Sequence, residues 1–73
     1  MKKLKKRLEK VYVCDLKHAD VILTVDHTGA ESVEQINCID NNVVWMEDIH
    51  GSDHPESTKT LNTYYDMYLL KRD

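Results

Sequence analysis

Residues 10–27, KVYVCDLKHADVILTVDH, decide the fold class. Two runs rich in β-branched and aromatic residues, 10–17 and 21–27, flank Lys17-His18-Ala19-Asp20, a connection short enough for a tight hairpin. In the second run Val21, Leu23 and Val25 share one face, and Ile22, Thr24 and Asp26 share the other. An antiparallel sheet is therefore the expected centre of the molecule.

Working outward, residues 29–40 carry two signals. Thr28-Gly29-Ala30-Glu31 fits a capping box, with Ala30, Val33 and Ile36 at helical spacing. Cys38 and Ile39 leave that stripe, however, and Val33, Ile36 and Ile39 are β-branched, which favours strand. Asp40-Asn41-Asn42 reads as a turn, because Asn and Asp tolerate positive φ and bond their own backbone. Residues 43–49 (VVWMEDI) read as a strand with Val43, Trp45 and Ile49 on one face. Trp45, the sole tryptophan, is expected at the centre of the core. Residues 50–61 (HGSDHPESTKTL) combine turn formers with almost no apolar side chain and read as a long polar loop. Tyrosine and threonine content favours strand for residues 62–71, with Tyr64 and Tyr68 on one face and Tyr65, Met67 and Leu69 on the other; the alternative is a helix with Leu61, Tyr64, Tyr65, Tyr68 and Leu69 in one stripe.

Upstream, Met1, Leu4, Leu8 and Val11 fall on one stripe of a short amphipathic helix, with lysines on its other faces. Two parts follow: a basic amphipathic N-terminal helix over 1–10, and an acidic antiparallel β domain over 11–73. The expected fold class is α+β, a short N-terminal helix plus a sheet of four to five strands, with barrel-like closure left open. At 73 residues the chain holds one domain. Its longest apolar run, Val21-Ile22-Leu23, is far short of a membrane span, and no apolar stretch follows the basic head as a signal peptide would require. A cytoplasmic protein with free thiols at Cys14 and Cys38 is expected.

Charge is sorted along the chain. Residues 1–10 hold six bases against one acid, a net of +5. The remaining 63 residues hold four bases against twelve acids, a net of −8, which recovers the overall −3. Such a body repels phosphate and suits a basic partner, so direct nucleic-acid binding is not expected. Cys14 with His18, and His50 with His54, are candidate zinc pairs. Their spacing matches no standard signature, so no metal or other cofactor is expected, with a zinc-stabilised domain as an alternative. No nucleophile elbow, phosphate-cradling glycine loop or HExxH motif is present, and no enzyme is expected.

One stretch carries a family likeness. An alternating strand from Val21, then Gly29, Asp40 eleven residues later, and an apolar strand ending at Asp48 resemble the first motif of Sm-like RNA-binding barrels. The likeness implies a small antiparallel barrel and, as an alternative function, RNA binding. Glycines of the family pattern are missing near Glu34 and Cys38, and the loop after Asp40 is two residues short, so no RNA-binding residue is carried over. In size and charge alone the chain is similar to the small acidic inhibitors that phages and mobile elements deploy against host machinery. The expected function is thus a non-catalytic protein-binding module that inhibits or modulates a macromolecular partner with a basic surface. Its expected contacts are Glu47, Asp48, Asp53 and Glu56 around the polar loop, with Tyr64, Tyr65 and Tyr68 as anchors. A surplus apolar face around Tyr64 and Tyr68 adds the expectation of a two-fold homodimer.

Overall fold

The structure, a computed structural model, describes residues 8–72. After Leu8 come strand β1 (Glu9–Val11), a 3-10 turn (Val13–Asp15), β2 (Val21–Asp26), β3 (Glu31–Asp40), β4 (Val43–Asp48) and β5 (Asp53–Ser57). Helix α1 (Thr58–Tyr64) leads directly into β6 (Tyr65–Lys71). Every pairing is antiparallel, and the sheet runs β1-β6-β2-β3-β4-β5. It has two edges, β1 and β5, so the described strands form an open sheet rather than a closed barrel. The helix expected over 1–10 lies mostly outside the described residues, and its last two, Glu9 and Lys10, belong to β1.

The expected first hairpin does not form. Val11 pairs with Met67 of β6 instead of meeting β2. Asp15 is the cause: its Oδ2 accepts from the Tyr12 N–H at 3.0 Å, and its own N–H donates to the Tyr12 carbonyl at 2.8 Å. A short polar side chain that bonds nearby backbone winds the chain into a turn and removes it from the ladder.

Residues 31–40 are strand, and Asn41 supplies the turn into β4 with φ of 53°. A bulge between Ile36 and Cys38 leaves Asn37 without a partner in β4. Bulges of this kind bend the strand and re-aim its side chains. Ile36 is consequently buried while Cys38 is exposed.

The core gathers Val11, Leu16, Ile22, Ile36, Val44, Met46, Leu61 and Met67. Val44 and Met46 occupy the two inward positions of β4, so Trp45 between them faces outward and is 38% exposed. Its apolar neighbours are the core; Trp45 is not its centre. Residues 50–61 are likewise no loop. They hold β5 and the start of α1, and Pro55 fits in β5 because an edge strand has no partner for the missing N–H. Ser57 begins the helix by accepting the Thr60 N–H on its Oγ at 3.0 Å, and α1 buries Leu61 against the core.

Two hairpin turns share one device. In 26–30, Asp26 Oδ1 accepts from the N–H of Thr28 (2.9 Å) and of Ala30 (3.0 Å), with Gly29 at φ of 90°. In 48–52, Asp48 Oδ1 accepts from the N–H of His50 (2.9 Å) and of Ser52 (3.0 Å), with Gly51 at φ of 84°. Both glycines sit where a side chain would be strained, and each aspartate folds the turn around its carboxylate.

Candidate functional site

Opposite faces of the sheet offer different chemistry. On the outer face, the ladder sets Trp45 between Cys38 and Pro55. One step along, Glu47 pairs with Asp53, and the Asn37 amide donates to both carboxylates at 3.2 Å. Residues 31–57, which make β3 to β5, hold seven acids and neither lysine nor arginine. The described bases lie elsewhere, and two are already paired: Lys10 with Asp66 at 3.3 Å and Arg72 with Asp20 at 2.8 Å. The β3–β5 half therefore carries acids without lysine or arginine, and on its outer face Glu47 and Asp53 lie one step from an exposed tryptophan.

Further along the outer face, Tyr68 lies opposite Leu23 and helps Leu8, Leu23 and Val25 line a shallow hollow of about 220 Å³.

The expected contact residues divide among separate places. Glu47 and Asp53 share the outer face. Asp48 is committed to its turn, where the Ser52 and His50 N–H groups hold its carboxyl below the usual range. Glu56 and Tyr65 line a cavity on the inner face. Tyr64 ends α1 at 56% exposure, near the His27 ring, and is not a strand residue beside Tyr68. The three tyrosines form no common anchor. Asp20 and Glu34, two of the twelve acids of the body, are buried at 1% and 6% exposure.

Asp20 is fully bonded. Arg72 grips it with Nε on Oδ1 (3.0 Å) and an Nη on Oδ2 (2.8 Å), and the Lys17 N–H adds a bond at 2.9 Å. The same guanidinium reaches the Asp15 carbonyl at 2.8 Å. Arg72, then the Lys17 amide, hold the Asp20 carboxyl below the usual range against the opposing effect of burial. This corner ties the end of β6 to the loop before β2.

Glu34 is bonded on one side only. Oε2 accepts from Ser32 Oγ at 2.7 Å. No donor of the described residues reaches Oε1 within hydrogen-bond distance, and His54 Nε2 stands 3.7 Å away. Beside it lies a cavity of about 150 Å³ whose wall includes Glu34, His54, Glu56, Tyr65, Met46 and Leu61. Burial pushes the Tyr65 phenol up, and the charges of Glu56, Asp26 and Glu34 push it in the same direction.

The suggested zinc ligands are dispersed. Cys14 lies in the 3-10 turn, His18 in the loop after it, His50 in the 48–52 turn and His54 on β5. Among the described residues no three His, Cys, Asp or Glu side chains come together as a metal site. Both cysteines are free and exposed. No described helix is long and apolar enough to cross a membrane. Comparison with protein-family models, curated proteins and solved structures finds no match.

Sequence reasoning missed Trp45 as a surface residue and Glu34 as a buried one. The signal for Trp45 was the bracket of Val44 and Met46, which claims both inward positions. Glu34 carried none, since an acid on a strand reads as solvent-facing.

Proposed function

We propose that the protein is a non-catalytic binding module whose outer β3–β5 face docks on a basic protein surface. The charge distribution is the observation that carries this reading: Glu47 and Asp53 stand one ladder step from an exposed tryptophan, on strands that hold no lysine or arginine. Interfaces of this kind use a desolvated aromatic for affinity and surrounding charge for approach. Trp45 is the anchor, since an arginine or lysine of the partner gains from its ring face. Glu47 and Asp53 steer, pre-positioned by Asn37. An inhibitor that occupies a nucleic-acid-binding site is one form such a module takes, because a site built for phosphates is basic.

The test is affinity capture from the source cell with the wild-type chain and with a Glu47→Lys/Asp53→Lys variant in parallel. A basic protein is expected on the wild type and absent from the variant. Its association rate should fall steeply with salt, whereas Trp45→Ala should act mainly on dissociation. Capture that survives the acid reversal but is lost on reversal of Lys10, Lys17 and Lys71 would assign the work to the basic half and sink this reading. The outer hollow at Tyr68 also supports self-association. Sedimentation at about micromolar concentration, the range in which weak two-fold contacts form, separates the two uses. A species at the chain mass of 8.6 kDa removes the dimer and leaves the docking face intact.

A further inference from the structure

We propose that the inner cavity between Glu34 and Tyr65 binds a primary ammonium group carried on a short aliphatic stem. Glu34 is the first reason. Its side chain is 8% exposed, and among the described residues none donates a hydrogen bond to Oε1, with His54 Nε2 standing off at 3.7 Å. A buried acceptor left in that state costs free energy that an incoming N–H recovers. The surroundings fit the rest of the ligand: Met46 and Leu61 give an apolar wall for methylenes, while Glu56 and the Tyr65 phenol stand where the charged end would lie. About 150 Å³ is room for a stem of a few carbons and its head.

The type of cation follows from the oxygens. A guanidinium prefers both oxygens of one carboxylate. Glu34 offers one, because Ser32 holds Oε2. An ammonium is a compact donor of three bonds and accepts single oxygens from different groups. A metal ion is disfavoured by the donor set, since no three of the described His, Cys, Asp and Glu side chains are grouped so that they could hold one. This site lies across the sheet from Trp45, so it stands or falls apart from the docking face.

The experiment is an NMR titration of the full chain with n-butylammonium chloride against sodium chloride at equal ionic strength. Saturable shifts are expected at the Tyr65 ring, the His54 ring and the methyls of Leu61 and Met46. Glu34→Gln should weaken binding about tenfold or more, the scale of one charge-assisted bond. Glu56→Gln alters a partly exposed side chain of the same cavity and gives a second reading should the first variant fold poorly. Glu47→Gln and Asp53→Asn, on the outer face, should leave the affinity unchanged. An N-acetyl-lysine methylamide arm identifies the source. Binding at the same resonances assigns the ammonium to lysine in a polypeptide, and binding of butylammonium alone assigns it to a free amine. Shifts that do not saturate, or that sodium chloride reproduces, overturn the proposal. So does equal affinity in wild type, Glu34→Gln and Glu56→Gln.

Discussion

Asp20 and Glu34 are both buried carboxylates in the same small sheet, yet they are finished to different degrees. Asp20 has both oxygens bonded, one of them twice, and a guanidinium locked across it. Glu34 has one oxygen bonded and the other facing a half-exposed histidine at 3.7 Å. Burying a charge is costly unless pairing and hydrogen bonds replace its water. Asp20 meets that requirement within the chain, as a structural element should. Glu34 does not, and its deficit sits beside a cavity rather than against packed side chains. The difference separates a carboxylate that holds the fold from one available to a ligand.

The largest effect should come from breaking the finished pair. Asp20→Asn leaves the Arg72 guanidinium without its counter-charge and turns one of the two acceptor oxygens into an NH2 donor, which sets donor against donor at one of the Arg72 bonds. A loss of about 1.5–3 kcal/mol is expected in urea unfolding, the range for hydrogen bonds to a charged group, because Arg72 keeps part of its contact with water. A loss below about 1 kcal/mol, the scale of an exposed pair, would show that the corner is solvated and erase the contrast with Glu34.

Acid should then sharpen the same point. The folded Asp20 carboxyl is held below its ordinary 3.8, chiefly by Arg72. A lowered folded pKa stabilises above the unfolded value and loses that contribution as pH falls through the folded one. The gap in melting temperature between wild type and Asp20→Asn should therefore be constant from neutral pH down to the ordinary carboxylate range, and should narrow below it. Asp26 and Asp48, also lowered by their turn bonds, titrate in both proteins and drop out of the difference. A gap that widens on acidification would contradict the assignment.

The contrast between the two acids was not legible in the sequence, and the reason is physical. Strand periodicity exposes which residues share a face, and β2, β3 and β4 were readable on that basis. It does not say which face is inward. Val21, Leu23 and Val25 make the more apolar face of β2, yet Ile22 and Thr24 are the buried pair. Trp45 went astray for the same reason, because size suggested core and alternation put Val44 and Met46 there. Arg72 acts through bonds to residues that only the fold brings near: it reaches Asp20 across 52 positions. The Asp-x-x-Gly turns at 26–29 and 48–51 were legible in principle, since an aspartate followed three residues later by glycine, at the end of an apolar strand, carries its mechanism in its composition. The polar loop at 50–61 hid β5 because Pro55 reads as a breaker everywhere except on an edge.

A smaller effect is expected from the neighbour of Glu34. His54→Gln removes the nearest imidazole, with Nε2 at 3.7 Å and the side chain more than one-third exposed. Stability should change by less than about 1 kcal/mol, as for other solvent-screened pairs. Thermal melts at neutral pH check it. A change as large as that of Asp20→Asn would make His54 the counterpart of Arg72 and close the comparison.

Glu34→Gln should have the smallest effect on stability and, if the cavity binds ammonium, the largest on ligand. The substitution keeps the shape and leaves an amide oxygen for Ser32, while it removes a charge that no full partner balances. Lost desolvation cost and lost hydrogen-bond strength oppose one another. Stability should thus stay within about 1 kcal/mol of wild type, on the side of a gain. That pairing of outcomes is the mark of a residue kept for binding at the expense of stability. If urea unfolding instead shows a loss of about 1.5 kcal/mol or more, Glu34 is a structural acid like Asp20. The unbonded Oε1 would then belong to the core rather than to a site.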